Sequence, residues 1–170
     1  MALEIERRFL VATEQWKLFS GEPEHLRQAY LTNQTNDWVI RVRIQAPKKA
    51  WITMKLQKSI LSNHEFEYEI PIKDAEEIWA LSNSRVTKRR YRLSISGGAW
   101  IVDCFEKENY PLVLAEVELP SEALTIEMPE WCTHEITGQK QWSNASLAAK
   151  PISKYSIAER LKKNMAQKEP

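Results

Sequence analysis

Cysteine is scarce in this chain of 170 residues, with only Cys104 and Cys132. Two thiols do not make a disulfide framework, so reduced cysteines are expected. A domain of this length buries roughly two-thirds of the surface its unfolded chain exposes, so it needs no staple. Glycine is also rare, at four residues. No Pro/Gly/Ser-rich linker, internal repeat or low-complexity tract appears, which predicts one domain over residues 1–170. No apolar run approaches the ~20 residues of a membrane span. Glu4, Glu6, Arg7 and Arg8 stand where a signal peptide has its apolar core, so a cytoplasmic protein without membrane contact is expected. Charge of one sign is missing too: 24 Lys+Arg meet 23 Asp+Glu. That balance argues against binding nucleic acid by bulk positive charge, and no such partner is expected. His25, His64 and His134 lack ligand spacing and are read as structural. Neither a G-x-x-x-x-G-K-[ST] loop nor a G-x-S-x-G elbow occurs, so a P-loop enzyme or serine hydrolase has no support.

What the chain has is alternation with period two, the strand signal. Residues 3–11 set Leu3, Ile5, Phe9 and Val11 against Glu4, Glu6 and Arg8. Residues 38–44 set Ile40, Val42 and Ile44 against Arg41 and Arg43. Residues 51–57 set Ile52, Met54 and Leu56 against Thr53 and Lys55. Residues 65–72 set Phe66, Tyr68, Ile70 and Ile72 against Glu65, Glu67 and Glu69. Similar strands fit 86–95, 99–105 and 112–119, and another is expected over 26–33 around Tyr30. Helices are fewer. Thr13 is read as the cap of a short helix through Leu18. Asp74-Ala75-Glu76-Glu77 fits a capping box for a helix to Ala80 or Leu81, and Ser143 starts a short helix over 144–149. Residues 152–168 carry Ile157, Leu161 and Met165 at i, i+4, i+8, an amphipathic basic helix. The expected class is α+β, mainly β, a barrel or sandwich of antiparallel strands with a few flanking helices.

Charges at i and i+2 on a strand point to one side of the sheet. Their signs are sorted by strand: Glu4 with Glu6, Glu116 with Glu118, Arg41 with Arg43, Lys88 with Arg90 and Arg92. Like charges repeated on one face repel and call for opposite charge nearby. Periodicity alone does not say whether these faces look inward or out to solvent. If they line one lumen, buried charges must be paired or bound to ions. Four carboxylates suit Mg²⁺ or Mn²⁺, which prefer oxygen ligands. The cations suit a polyanion, with Arg gripping phosphate as a fork and Lys as a point charge.

The order of these pieces resembles the CYTH, or triphosphate tunnel metalloenzyme, family. Glu4-Ile5-Glu6-Arg7-Arg8 looks like its ExExK signature. Arg41-Val42-Arg43, Thr53-Met54-Lys55, Glu65-Phe66-Glu67-Tyr68-Glu69, Lys88-Arg89-Arg90-Tyr91, Val102-Asp103-Cys104-Phe105 and Ala115-Glu116-Val117-Glu118 follow in the family's order. Ser143-Asn144-Ala145-Ser146-Leu147-Ala148 resembles the C-terminal region of its small bacterial members. One departure is Arg8, which stands where the signature has Lys; a planar fork replaces a point charge.

The resemblance implies a closed antiparallel barrel of about eight strands, a tunnel that leaves no sheet edge. It implies a divalent metal, Mg²⁺ or Mn²⁺, on Glu4, Glu6, Glu116 and Glu118, with Asp103 an acid near it. It implies phosphate contacts from Arg8, Arg41, Arg43, Lys55, Lys88 and Arg90, with Glu67 and Glu69 as further tunnel acids. Lys88, with Tyr30 beside it, and Arg8 are the implied catalytic groups. Glu65 is read instead as a solvated strand edge, and Trp51 as packing at a tunnel end. The implied activity is hydrolysis of a small triphosphate, foremost inorganic tripolyphosphate to diphosphate and phosphate. Thiamine triphosphatase and class IV-type adenylyl cyclase activities are alternatives on the same fold. A polyphosphate- or nucleotide-binding module is the non-enzymatic one. Either a monomer or a homodimer is compatible with the sequence.

Overall fold

The computed structural model describes residues 2–32, 37–47 and 49–154. The chain runs β1 (Ala2–Val11), β2 (Glu24–Tyr30), β3 (Trp38–Gln45), β4 (Lys49–Gln57), β5 (Ser62–Glu69), α1 (Ile72–Leu81), β6 (Arg85–Arg92), β7 (Ala99–Phe105), β8 (Val113–Glu118), β9 (Cys132–Glu135) and α2 (Asn144–Ala149). All pairings are antiparallel, in the order β5-β4-β3-β2-β6-β7-β8-β1, and β5 pairs back onto β1. That last pairing closes an eight-stranded barrel. β9 continues the edge of β1 beyond β5, opposite Phe9, Leu10 and Val11.

The expected strands form, with moved ends. The strand expected over 26–33 is β2, which ends at Tyr30. The one expected over 65–72 starts earlier and stops at Glu69, and Ile72 instead opens α1. α1 begins ahead of the expected capping box. Its N-cap is Pro71, whose carbonyl accepts from the Ala75 amide, and no side chain caps it. Starting there puts Ile72, Ala75, Ile78 and Trp79 over Val42, Ile44 and Ala50 on the outside of β3 and β4. The Thr13 helix is a 3₁₀ turn, Gln15–Phe19, with Glu14 at its N-cap position. Ser143 does cap α2, accepting from the Ser146 amide at 3.1 Å. The amphipathic helix expected at 152–168 falls mostly outside the described residues; Ile152–Lys154 form a 3₁₀ turn.

The apolar core lies mainly outside the barrel wall. Phe9, Trp100, Val102 and Val117 pack outward under Trp16 and Trp131, and α1 covers β3 and β4. A third cluster joins Leu10, Tyr30, Val86, Phe105 and Leu114 to Trp142, Leu147 and Ala148 at one end of the barrel. Burying each such side chain contributes roughly 1.5–3 kcal/mol. α2 sits at this end, which receives the β2–β3, β4–β5 and β7–β8 connections. The opposite end holds the tight β6–β7 turn. A Cβ on Gly98 there would lie 2.8 Å from the Glu118 carbonyl oxygen, and its φ is +143°, so only glycine fits.

Candidate functional site: a charged tunnel

With the apolar faces turned outward, alternation points the charged faces in. Register carries this from strand to strand: Glu6 faces Glu118 and Arg8 faces Glu116, Lys55 faces Glu65, Arg41 faces Tyr30, and Arg90 faces Asp103. The enclosed space measures about 1660 Å³. Glu4, Glu6, Arg8, Tyr30, Arg41, Arg43, Lys55, Glu67, Arg90, Glu116 and Glu118 all line it. These are residues the sequence singled out, and the fold gathers them from seven strands. Lys88 and Asp103 are buried in the wall behind them. Glu69 shares the inner face of β5 at the far mouth, opposite Trp51. The Arg43 guanidinium lies over the Trp51 ring at 5.2 Å.

On the β3–β4–β5 side the cations are matched to acids. Lys55 Nζ donates to Glu4 Oε2 at 2.5 Å and lies 3.1 Å from Glu65 Oε2. Arg43 donates to Glu67 at 2.7 Å, and Arg41 is 3.8 Å from Glu65. Glu65 is therefore part of the tunnel, contrary to its reading as a solvated edge. Its i, i+2 relation to Glu67 placed it on the charged face, but only closure of β5 onto β1 and β4 decided that this face is enclosed. Thr53 Oγ1 donates to Glu67 at 2.7 Å, and Asn63 Nδ2 to Glu4 at 3.4 Å. Neither Asn63 nor Asn144 was singled out from the sequence; for Asn63 the available signal was its place two residues before Glu65.

The β1–β6–β7–β8 side holds a buried network. Arg8 Nε donates to Glu116 Oε1 at 3.0 Å, and Arg90 reaches Glu116 Oε2 at 3.2 Å. Arg90 grips both Asp103 oxygens at 2.8 and 2.7 Å. Lys88 Nζ donates to Asp103 at 2.5 Å and to Asn144 Oδ1 at 3.1 Å. Burial pushes the Asp103 carboxyl up, but Arg90 and Lys88 outweigh it and hold the group far below the ordinary range. Glu116 behaves likewise, burial being outweighed by Arg8 and Arg90. Burial draws Lys88 down to about 8, with Asp103 pulling the other way.

Tyr30 and Lys88 are offset along the β2–β6 pairing. Leu26 is the register partner of Lys88, while the Tyr30 amide donates to Ser84. Four residues of strand separate the two positions on β2, about 13 Å. The Tyr30 hydroxyl is buried against Arg41, outside good hydrogen-bond geometry. Burial raises its pKa against the charge of Arg41.

Glu6 and Glu118 are different. They stand directly opposite on β1 and β8, and neither has an ion-pair partner among the described residues. Burial, and then the charge of Glu116, raise Glu6. Burial also raises Glu4, with Lys55 opposing and Glu65 reinforcing. Opposed carboxylates without a cation repel, and oxygen donors in this arrangement suit a hard divalent ion. Among the described residues no three ligand side chains already converge as a metal cage, because Glu4 and Glu116 are turned to Lys55 and Arg8. Arg8 Nη2, Arg41 Nε and Arg43 Nε are likewise buried donors without an acceptor. The residues thus leave donors for an anion and carboxylate oxygens for a cation within one enclosure.

A closed barrel with this lining is a polyanion tunnel, not an apolar-ligand barrel. The chain belongs to the CYTH domain family, whose profile matches residues 2–151. It is 34% identical over 157 residues to an inorganic triphosphatase of Acetivibrio thermocellus, covering 91% of this chain and 99% of that one. It is 37% identical over 149 residues to an inorganic triphosphatase of Nitrosomonas europaea, covering 85% and 96%. A crystal structure of an inorganic triphosphatase superposes with a TM-score of 0.63 at 35% identity, over 87% of this chain and 95% of that one. No helix among the described residues is long and apolar enough to cross a membrane.

Proposed function

We propose that this protein hydrolyses a linear triphosphate, foremost inorganic tripolyphosphate, to diphosphate and phosphate inside the tunnel. The relatives named inorganic triphosphatase support this reading over the thiamine triphosphatase, cyclase and binding-module alternatives. The observation that carries it is the coexistence of orphaned guanidinium donors on Arg8, Arg41 and Arg43 with the unpaired Glu6–Glu118 couple. Phosphoryl transfer asks little covalent chemistry of a protein; positioning and charge neutralisation dominate. Arg8, Arg41, Arg43, Lys55 and Arg90 grip the phosphate oxygens and stabilise charge on the departing diphosphate. Tyr30 bounds the same space beside Arg41. Lys88 is the proton-holding group at Nζ, behind Asp103.

Glu6 and Glu118, joined by Glu4 and Glu116, would hold Mg²⁺ or Mn²⁺, which supplies Lewis-acid charge and an acidified water when bound. Asp103 has both oxygens committed to Arg90 and Lys88, so we assign it to anchoring those cations. With Glu4 and Glu116 holding such an ion, Lys55 and Arg8, which they now accept from, would be free to bind phosphate. Phosphate release from tripolyphosphate, thiamine triphosphate and ATP, each with Mg²⁺, Mn²⁺ or chelator, tests the reading. Metal-dependent release fastest with tripolyphosphate is the expected result; equal inactivity on all three overturns it. Cyclic product from ATP would make the chain a cyclase.

A further inference from the structure

The two ends of the tunnel differ in charge. Every arginine that lines the cavity, and Lys55 with them, has an acid within salt-bridge reach: Arg8, Arg41, Arg43, Lys55, Arg90 and Arg92. The remaining lining cations are Lys58 and Lys140. Both are exposed, and neither forms an ion pair among the described residues. They sit at the α2 end: Lys58 on the β4–β5 connection, Lys140 on the segment from β9 to α2. The two segments touch. A Cβ on Gly138 would lie 2.8 Å from Ile60 Cγ2. The exposed Glu122 on this side feels the charge of Lys58 but makes no salt bridge to it, and Asp37 makes none to either lysine among the described residues. At the other mouth the lining cations Arg43 and Arg92 are neutralised by Glu67 and Glu24, and Glu118 is left unpaired.

We propose that the polyanionic substrate reaches the tunnel through the α2-end mouth and that Lys58 and Lys140 capture it there. This rests on the triphosphatase reading. Exposed cations outside any salt bridge, set beside a low-dielectric cleft, focus the field and speed association of the opposite charge. Fully paired cations project little field beyond their partners, so the far mouth offers a polyanion no such attraction. The two lysines act in capture and not in chemistry.

The test compares wild type, the Lys58→Glu/Lys140→Glu double variant and Lys73→Glu on exposed α1, which shifts net charge away from either mouth. Tripolyphosphate hydrolysis with Mg²⁺ is followed at low and high ionic strength. For the double variant kcat/KM should fall about tenfold or more at low salt, with kcat unchanged, and the deficit should shrink as salt screens the mouth. Lys73→Glu should match wild type. A deficit that persists at high salt, that falls on kcat, or that Lys73→Glu reproduces overturns the proposal. If wild type binds tripolyphosphate calorimetrically without turnover, the triphosphatase reading fails. The same comparison of association constants then still decides the mouth. Absence of binding overturns both.

Discussion

Two acidic centres share this tunnel and have opposite characters. Asp103 and Glu116 accept from Lys88, Arg90 and Arg8, and those cations hold both carboxyls below their ordinary range. Glu6 and Glu118 face one another with no salt bridge to either among the described residues, and burial and Glu116 raise Glu6 against the charges of Lys55 and Arg8. The first centre is charge-balanced within the chain. The second is left wanting a positive charge, so it behaves as a site. A buried charge is tolerable when paired and costly when not; half-buried Glu6, with exposed Glu118 opposite, is where an ion could relieve that cost.

The sharpest way to break the contrast is Asp103→Asn. Lys88 and Arg90 would lose their shared carboxylate, and breaking a buried pair costs about 3–5 kcal/mol; urea unfolding should show the loss. Glu6→Gln should do the reverse to the fold. It should cut metal-dependent phosphate release about a hundredfold or more, on the scale of losing an electrostatic contact in a transition state, yet raise Tm in chelator. The sign follows from linkage: the folded pKa of Glu6 lies above its unfolded value. The native state therefore binds more protons in that interval, and wild type loses stability as pH rises through it. The Tm advantage of Glu6→Gln should be present at neutral pH and vanish below the ordinary glutamate range. Lys55→Ala should raise KM for tripolyphosphate about tenfold, near 1.4 kcal/mol, since it removes one point charge from the wall. Smallest, Ser143→Ala should cost about 1 kcal/mol through the lost α2 cap, with a lower Tm and little change in rate.

Much of this was legible in the sequence, for a definite reason. Strand alternation is short-range, so Glu4 with Glu6, Arg41 with Arg43 and Glu116 with Glu118 could be assigned to common faces without coordinates. The ordered motifs then pointed to a tunnel. β9 was missed because Cys132–Glu135 is four residues long and does not alternate; it forms because β1 offers an open edge past β5. The start of α1 was misplaced because Asp74 fits a cap locally. Burial of Ile72 against β3 and β4 instead favoured an earlier start. Glu65 looked like solvent edge until Lys55 and Arg41 arrived from neighbouring strands. Tyr30 and Lys88 share an inner face, and their four-residue offset in the β2–β6 register is likewise not written in either strand.

The sequence by itself determined which side chains travel together: the period of a strand fixes each face, and like charges at i and i+2 mark the face that must find counter-charge. Only the tertiary structure decided which face is the inside, because that depends on β5 returning to β1. It also decided which acids are neutralised and which are left over. Register brings Arg8 to Glu116 and Glu6 to Glu118, and a pairing between residues more than a hundred positions apart is not written in either segment alone.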